Sequence, residues 1–212
     1  AKSSAASDVY KRQVPGSVFD EQGHDPSRGF AGGYLIEAAA AGPAFLSALL
    51  KPGAWGRDYA ALMQRYANMA GVLLNGEDMP SADNRVSLHD ELKDQYGLPI
   101  PVVHVDEHDN DIAMRRHFHG RARTIFEAVG ATDVHEVLPL SAAHNLGTCR
   151  MSASADSGVV NGFGQAHEID NLFVSDGSQF VTSTAENPTL TIVALALRQA
   201  DYLAGELAAR NL

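Results

Sequence analysis

The chain has 212 residues, 45% of them hydrophobic, enough for one domain with a sizeable core or for parts of two. Sixteen Lys and Arg against 26 Asp and Glu give a net charge of -10, and no basic block is longer than Arg115-Arg116, which argues against nucleic acid and anionic membranes as partners. The single cysteine, Cys149, excludes an intrachain disulfide and a cysteine-rich zinc site, and the longest apolar stretches are interrupted by Glu37, Pro43 and Thr191, so none spans a bilayer.

Residues 1–13, AKSSAASDVYKRQ, have neither helical nor strand periodicity and run into a loop-like stretch, VPGSVFDEQGHDPSRG. They read as a disordered tail or a translated assembly artefact, and an artefact there would place more of the gene upstream of Val14. From Gly32-Gly33 the small-residue stretch GGYLIEAAAAGPAFLSALL suits a buried helix, or two short helices broken at Gly42-Pro43. Residues 55–74 place Tyr59, Leu62, Met63, Tyr66 and Met69 at helical spacing, the pattern of a core-facing helix. Between Asp78 and Asp106 the runs at 84–88 and 100–105 are extended and separated by the turn Gly97-Leu98-Pro99, so sheet is expected. Asp109 or Asn110 can cap a helix with Ile112, Ala122, Phe126 and Val129 on one face and Gly130 as its stop. His135 to Leu140 then reads as a short extended run.

Three chemistry-bearing elements follow in order: Ala143-His144-Asn145-Leu146-Gly147-Thr148-Cys149-Arg150-Met151, then Asn171-Leu172-Phe173-Val174-Ser175-Asp176-Gly177-Ser178, then Asn187-Pro188-Thr189-Leu190-Thr191. Singly, a histidine before a Gly-Thr turn is more often structural than catalytic, and a strand ending in Asp-Gly is usually a turn. The third element says more. Asn187 is a favoured N-cap, Pro188 suits the first helical position, and Leu190, Val193, Leu197, Ala200, Ala204 and Leu207 trace one apolar face. A helix start there carries unpaired N–H groups and a positive dipole end, a ready site for a carbonyl oxygen or an anion.

In this order, with Asn84-Arg85-Val86-Ser87-Leu88, Lys93-Asp94 and Gly97-Leu98-Pro99 upstream, the elements resemble the C-terminal region of the glucose-methanol-choline (GMC) oxidoreductase family. A narrower likeness is to bacterial sugar and sugar-acid dehydrogenase large subunits of the gluconate 2-dehydrogenase type. The resemblance runs over most of Val72 to Leu207 and implies an α/β (α+β) fold, a mixed sheet with packed helices. The family's Rossmann unit, with its Gly-x-Gly-x-x-Gly turn, has no counterpart here: Gly29, Gly32 and Gly33 lack that spacing. The implied organisation is residues 14–140 as a portion of the substrate-binding domain and residues 141–212 as a return to the FAD-binding domain. The implied partners are an alcohol, polyol or sugar substrate, the missing N-terminal FAD domain, and an electron acceptor such as a quinone or cytochrome subunit.

The resemblance also implies roles. His144 becomes the general base that takes the hydroxyl proton while hydride passes from the carbinol carbon to flavin N5, a pairing that makes a poor hydride donor a good one. Asn187 fills the second active-site position and hydrogen-bonds the substrate oxygen. Backbone N–H groups of Asp176 and Gly177 contact the ribityl and pyrophosphate region of FAD, and Pro188 and Thr189 set the helix end, with Asn187, against the ring's pyrimidine edge. If the Asn187 side chain faces substrate it cannot cap its own helix.

Two other classes compete. A metal site is suggested by nine histidines, but His117 and His119 lie two apart on a predicted helix, where neighbours do not face one another, so no metal is expected. A non-catalytic partner-binding subunit or degenerate relative is opposed by retention of both His144 and Asn187. Within enzymes, an oxygen-using oxidase remains the alternative to a dehydrogenase.

Overall fold

The structure is a computed structural model that describes residues 17–20, 25–39, 42–50, 52–53, 55–137 and 144–212. The tail at 1–13, the end of the run expected at 135–140, and Ala143 lie outside the described residues. The chain divides into two compact units, one of residues 1–76 and 112–141, the other of residues 77–111 and 142–212.

In the first unit, β1 (Ser17–Asp20), β2 (Tyr34–Ala39) and β3 (Gly71–Gly76) form an antiparallel sheet in the order β1-β2-β3. One buried helix, or two short ones broken at Gly42-Pro43, was expected from the stretch beginning at Gly32; only its second half is helical, as α1 (Pro43–Leu50). Tyr34 and Ile36, with strong strand preference, pair with Leu74 and its neighbours and override the alanines that follow. The helix expected over residues 55–74 is likewise cut short. It runs as α2 (Gly56–Gln64), continues as a 3-10 turn at Tyr66–Asn68, and gives way to β3. A β-pairing partner for Val72 and Leu74, invisible to local periodicity, decides their state.

The long helix α3 (Asp109–Ala128) supplies the rest of this unit's core from residue 112 onward. Its inward row is Met114, Phe118 and Ala122, four residues apart, packed with Phe30, Tyr34 and Ile36, and Val72, Leu74 and Ala113 close the cluster. Of the apolar face read from the sequence, Ala122 is buried and Val129 lies past the helix end at 76% exposure. Gly76 stands opposite Tyr34, and a Cβ there would come 2.5 Å from Met114 Sδ, so the bulky methionine needs the missing side chain. The cap is His108, whose Nδ1 accepts from the Asn110 N–H at 3.1 Å, one residue before the expected Asp109. Gly130 ends the helix as expected, at φ +80°. His117 Nδ1 meets the buried Tyr34 hydroxyl at 2.8 Å, and His119 faces Glu136 at 3.1 Å.

In the second unit, β4 (Arg85–Lys93) and β5 (Pro99–His104) form an antiparallel hairpin. Asp94 Oδ1 accepts from the N–H groups of Tyr96 and Leu98 at the turn, where Gly97 takes φ +83°. At the open end the Asn84 amide both accepts from and donates to the Asp106 backbone. Val86 faces Val103, and with Leu88 they lie at least half exposed on one side of the ribbon. From His144 the chain runs through irregular segments joined by single bridges, Val160 wholly buried among them, and ends in α4 (Thr189–Ala209). Both sheets are antiparallel; parallel pairing of a mixed kind occurs among the described residues only in the bridge Met151–Val160. No described helix is long and apolar enough to cross a membrane.

Candidate active site

All three chemistry-bearing segments belong to the second unit, and backbone hydrogen bonds join the first two. The Cys149 N–H donates to Ser178 O at 2.9 Å and the Met151 N–H to Gln179 O at 2.8 Å, which ties the strand-like run after His144 to the turn after Asp176. Gly177, buried, is where all three meet. A Cβ there would lie 2.7 Å from Leu146 Cδ2, 3.7 Å from Asn145 O and 3.3 Å from Ile192 Cδ1. The residues beside His144, the Asp176-Gly177 turn and the first turn of α4 therefore pack against one another. His144, Asp176, Asn187 and Thr189 are exposed, and Pro188 is partly buried.

Asp176 turns the chain. Its carboxylate accepts from the Ser178 hydroxyl at 2.5 Å and the Ser178 N–H at 2.8 Å, capping a 3-10 turn over Gly177–Gln179. Those hydrogen bonds, the hydroxyl first, favour the charged form and hold its carboxyl below the ordinary carboxylate range. As the first residue of that turn, Gly177 has an N–H with no carbonyl inside the turn to meet.

The start of α4 differs from expectation by one residue. Pro188, not Asn187, is the N-cap: its carbonyl accepts from the Ile192 N–H at 3.0 Å, and Thr189 is the first helical residue. No side chain caps this helix, and no acidic residue sits in its first turn. Among the described residues neither the Asn187 amide nor the His144 imidazole has a hydrogen-bond partner. The competition between capping and pointing outward thus does not arise for Asn187.

The apolar face of α4 read from the sequence is open: Leu190, Leu197 and Leu207 are 82%, 65% and 56% exposed. The helix is held within this unit by its other side. Gln199, 7% exposed, donates both amide protons to backbone carbonyls, Phe163 O at 3.0 Å and Val174 O at 2.8 Å. Tyr202 stacks on Phe163 at 4.2 Å and donates to Gln165 Oε1 at 3.2 Å, and Arg198 lies over the same Phe163 ring. Gly164 makes room for this clamp, because a Cβ there would overlap Gln199 Nε2 and come 2.6 Å from Val174 O. Sequence reading missed Gln199, since a glutamine beside Arg198 looks like part of a solvated face. The turn-rich Asn161-Gly162-Phe163-Gly164 was the signal available.

A family model described as GMC oxidoreductase matches residues 80–196, more than half of the chain. The chain belongs to the GMC oxidoreductase family. The match contains β4, β5, α3, all three motifs and the start of α4. Among curated relatives, 2-methyl-1,2-propanediol dehydrogenase of Mycolicibacterium austroafricanum is 35% identical over 187 residues, 84% of this chain and 34% of that protein. Fructose dehydrogenase large subunit of Gluconobacter japonicus is 30% identical over 69% of this chain and 27% of its own length. Gluconate 2-dehydrogenase flavoprotein of Pantoea cypripedii is 27% identical over 83% of this chain and 31% of its length. The chain spans about a third of the length of these GMC relatives. Among the described residues, no group of three or more His, Cys, Asp or Glu is arranged to hold a metal ion.

Proposed function

We propose that the chain is the C-terminal part of an FAD-dependent oxidoreductase that oxidises a CH–OH group of an alcohol, polyol or sugar. The observation that carries this reading is the convergence on Gly177 of the segment after His144, the Asp176 turn and the first turn of α4, all inside the GMC match. The names of the relatives, a diol dehydrogenase, a sugar dehydrogenase subunit and a gluconate dehydrogenase flavoprotein, support the substrate class and the flavin. In this reading residues 14–140 belong to the substrate-binding domain and residues 141–212 to the FAD-binding domain. An electron acceptor, quinone or cytochrome subunit, completes the dehydrogenase form.

The donor set suits FAD. A helix start at Thr189 with no side-chain cap and no acidic residue in its first turn offers free N–H groups and a positive dipole end to an electron-rich ring edge, and the first N–H of the Gly177 turn adds another donor. Asp176, Gly177, Asn187, Pro188 and Thr189 would hold the cofactor, which supplies the hydride acceptor when bound. His144 removes the substrate's hydroxyl proton at an imidazole nitrogen, which raises the hydride-donating power of the carbinol carbon. The Asn187 amide donates to the substrate oxygen and orients it. The test is anaerobic mixing of the complete enzyme with a panel of diols, polyols and sugars while flavin colour is followed. Bleaching by one of them is expected; a complete enzyme that carries no flavin overturns the reading.

A further inference from the structure

Building on that reading, we infer that Gln199 is a positioning residue for the cofactor, clamping α4 to the segment that leads into Asp176-Gly177. Gln199 lies about 15 Å along the helix from Thr189, at 1.5 Å rise per residue. Near its start α4 touches the Asp176 turn through Ile192 against Gly177. Held there alone, a helix can pivot. The Gln199 amide adds a second anchor, and its acceptor Val174 O lies just two residues before Asp176. Two anchors on one chain segment fix both the tilt of α4 and its slide along the turn. They set the spacing between the donors of Gly177 and those of the helix start.

The clamp is built to one geometry. Both amide protons are used, the site is buried, and Gly164, at φ +74°, keeps open the space that Gln199 Nε2 fills. A methionine at position 199 has similar length and no donors, so it leaves the Phe163 and Val174 carbonyls without their donor and removes the amide anchor while keeping the packing. Tyr202→Phe is the stability control, since it removes one hydrogen bond of the same helix, to Gln165, and keeps the ring that packs against Phe163 and Phe173.

In the complete flavin-bound enzyme, Gln199→Met is expected to weaken FAD binding on the order of tenfold or more, the loss of about one hydrogen bond's worth of cofactor contact. It should also shift the flavin absorption band and midpoint potential. Gln199→Asn, one methylene shorter, should fall between wild type and Gln199→Met, and it stands in if the methionine variant does not fold. Tyr202→Phe should lower Tm and leave FAD affinity, absorption band and potential at wild-type values. If a Gln199 variant lowers Tm as Tyr202→Phe does and moves none of the three flavin readouts, Gln199 is structural only and the inference falls. A wild-type enzyme that binds no FAD overturns the functional reading and this inference together, whereas a flavin-bound wild type with insensitive Gln199 variants overturns the inference alone.

Discussion

Gly177 and Leu146 stand so close that a methyl on the glycine would come 2.7 Å from Leu146 Cδ2. The glycine's backbone is outside the left-handed region, so the constraint is purely one of space. Gly177→Ala is expected to cost about 1–3 kcal/mol through overpacking. Leu146→Ala combined with it should recover part of that loss, because the two changes act on one gap. Thermal unfolding of the single and double variants checks this; strict additivity would show that the two residues do not share the space.

His144 and Asn187 carry unequal amounts of the proposed transition-state work. In the complete enzyme, His144→Ala should slow flavin reduction roughly 10²–10⁴-fold, the usual contribution of a positioned proton acceptor, with flavin content little changed. Asn187→Ala should slow it less, about ten- to a hundredfold, as one hydrogen bond to a developing charge is lost. Because Pro188 is the N-cap and no side chain caps α4, Asn187→Ala should leave the helix start and the Tm nearly intact. Anaerobic stopped-flow kinetics separate reduction from reoxidation. Wild-type reduction rates in His144→Ala across pH would remove it from the role of base.

Asp133 gives a pH dependence whose sign can be worked out. Arg65 hydrogen-bonds its carboxylate at 3.2 Å, His135 lies 3.2 Å away, and together, the Arg65 hydrogen bond first, they hold its carboxyl below the ordinary range. A depressed folded pKa contributes stability above the unfolded value, and that contribution is lost as pH falls through the folded value. Asp133→Asn should therefore lower Tm at neutral pH, by little because the pair is solvent-exposed, and the gap should close in acid. Equal gaps at neutral and strongly acidic pH would contradict it.

Expressed as these 212 residues, the chain is expected to bind FAD weakly and to self-associate. Leu190, Leu197, Leu88 and Val103 are each more than 60% exposed, on α4 and on the hairpin. Light scattering and flavin titration of the purified chain check both points. A monodisperse monomer with stoichiometric flavin would contradict them.

The hairpin, the stop of α3 at Gly130 and the approximate start of α4 were legible because each is written in local chemistry: a turn at Gly97, a left-handed glycine, a proline at a helix entrance. Strands β2 and β3 were not. Their state is set by pairing Ile36 with Leu74, far apart in sequence, and an alanine-rich neighbourhood pointed to helix. Periodicity found the apolar stripe of α4 correctly but not its surroundings. It marks a face that avoids water, and what covers Leu190 and Leu197 is not encoded in their spacing. The candidate residues could be named from motif resemblance, while their meeting at Gly177 and the Gln199 clamp required three-dimensional neighbours.

The β4–β5 hairpin is closed at its turn by Asp94 and at its open end by the reciprocal Asn84–Asp106 pair. Every contact that fixes its register is therefore local, whereas β2 and β3 must find each other across two intervening helices. Contacts of short sequence separation form early in folding, hairpins in about 1–10 μs. The ribbon is expected to take shape ahead of the three-stranded sheet. From that moment it presents Val86, Leu88 and Val103 to the surroundings, so the interval before those side chains are covered is when the newborn polypeptide is most exposed to misassociation.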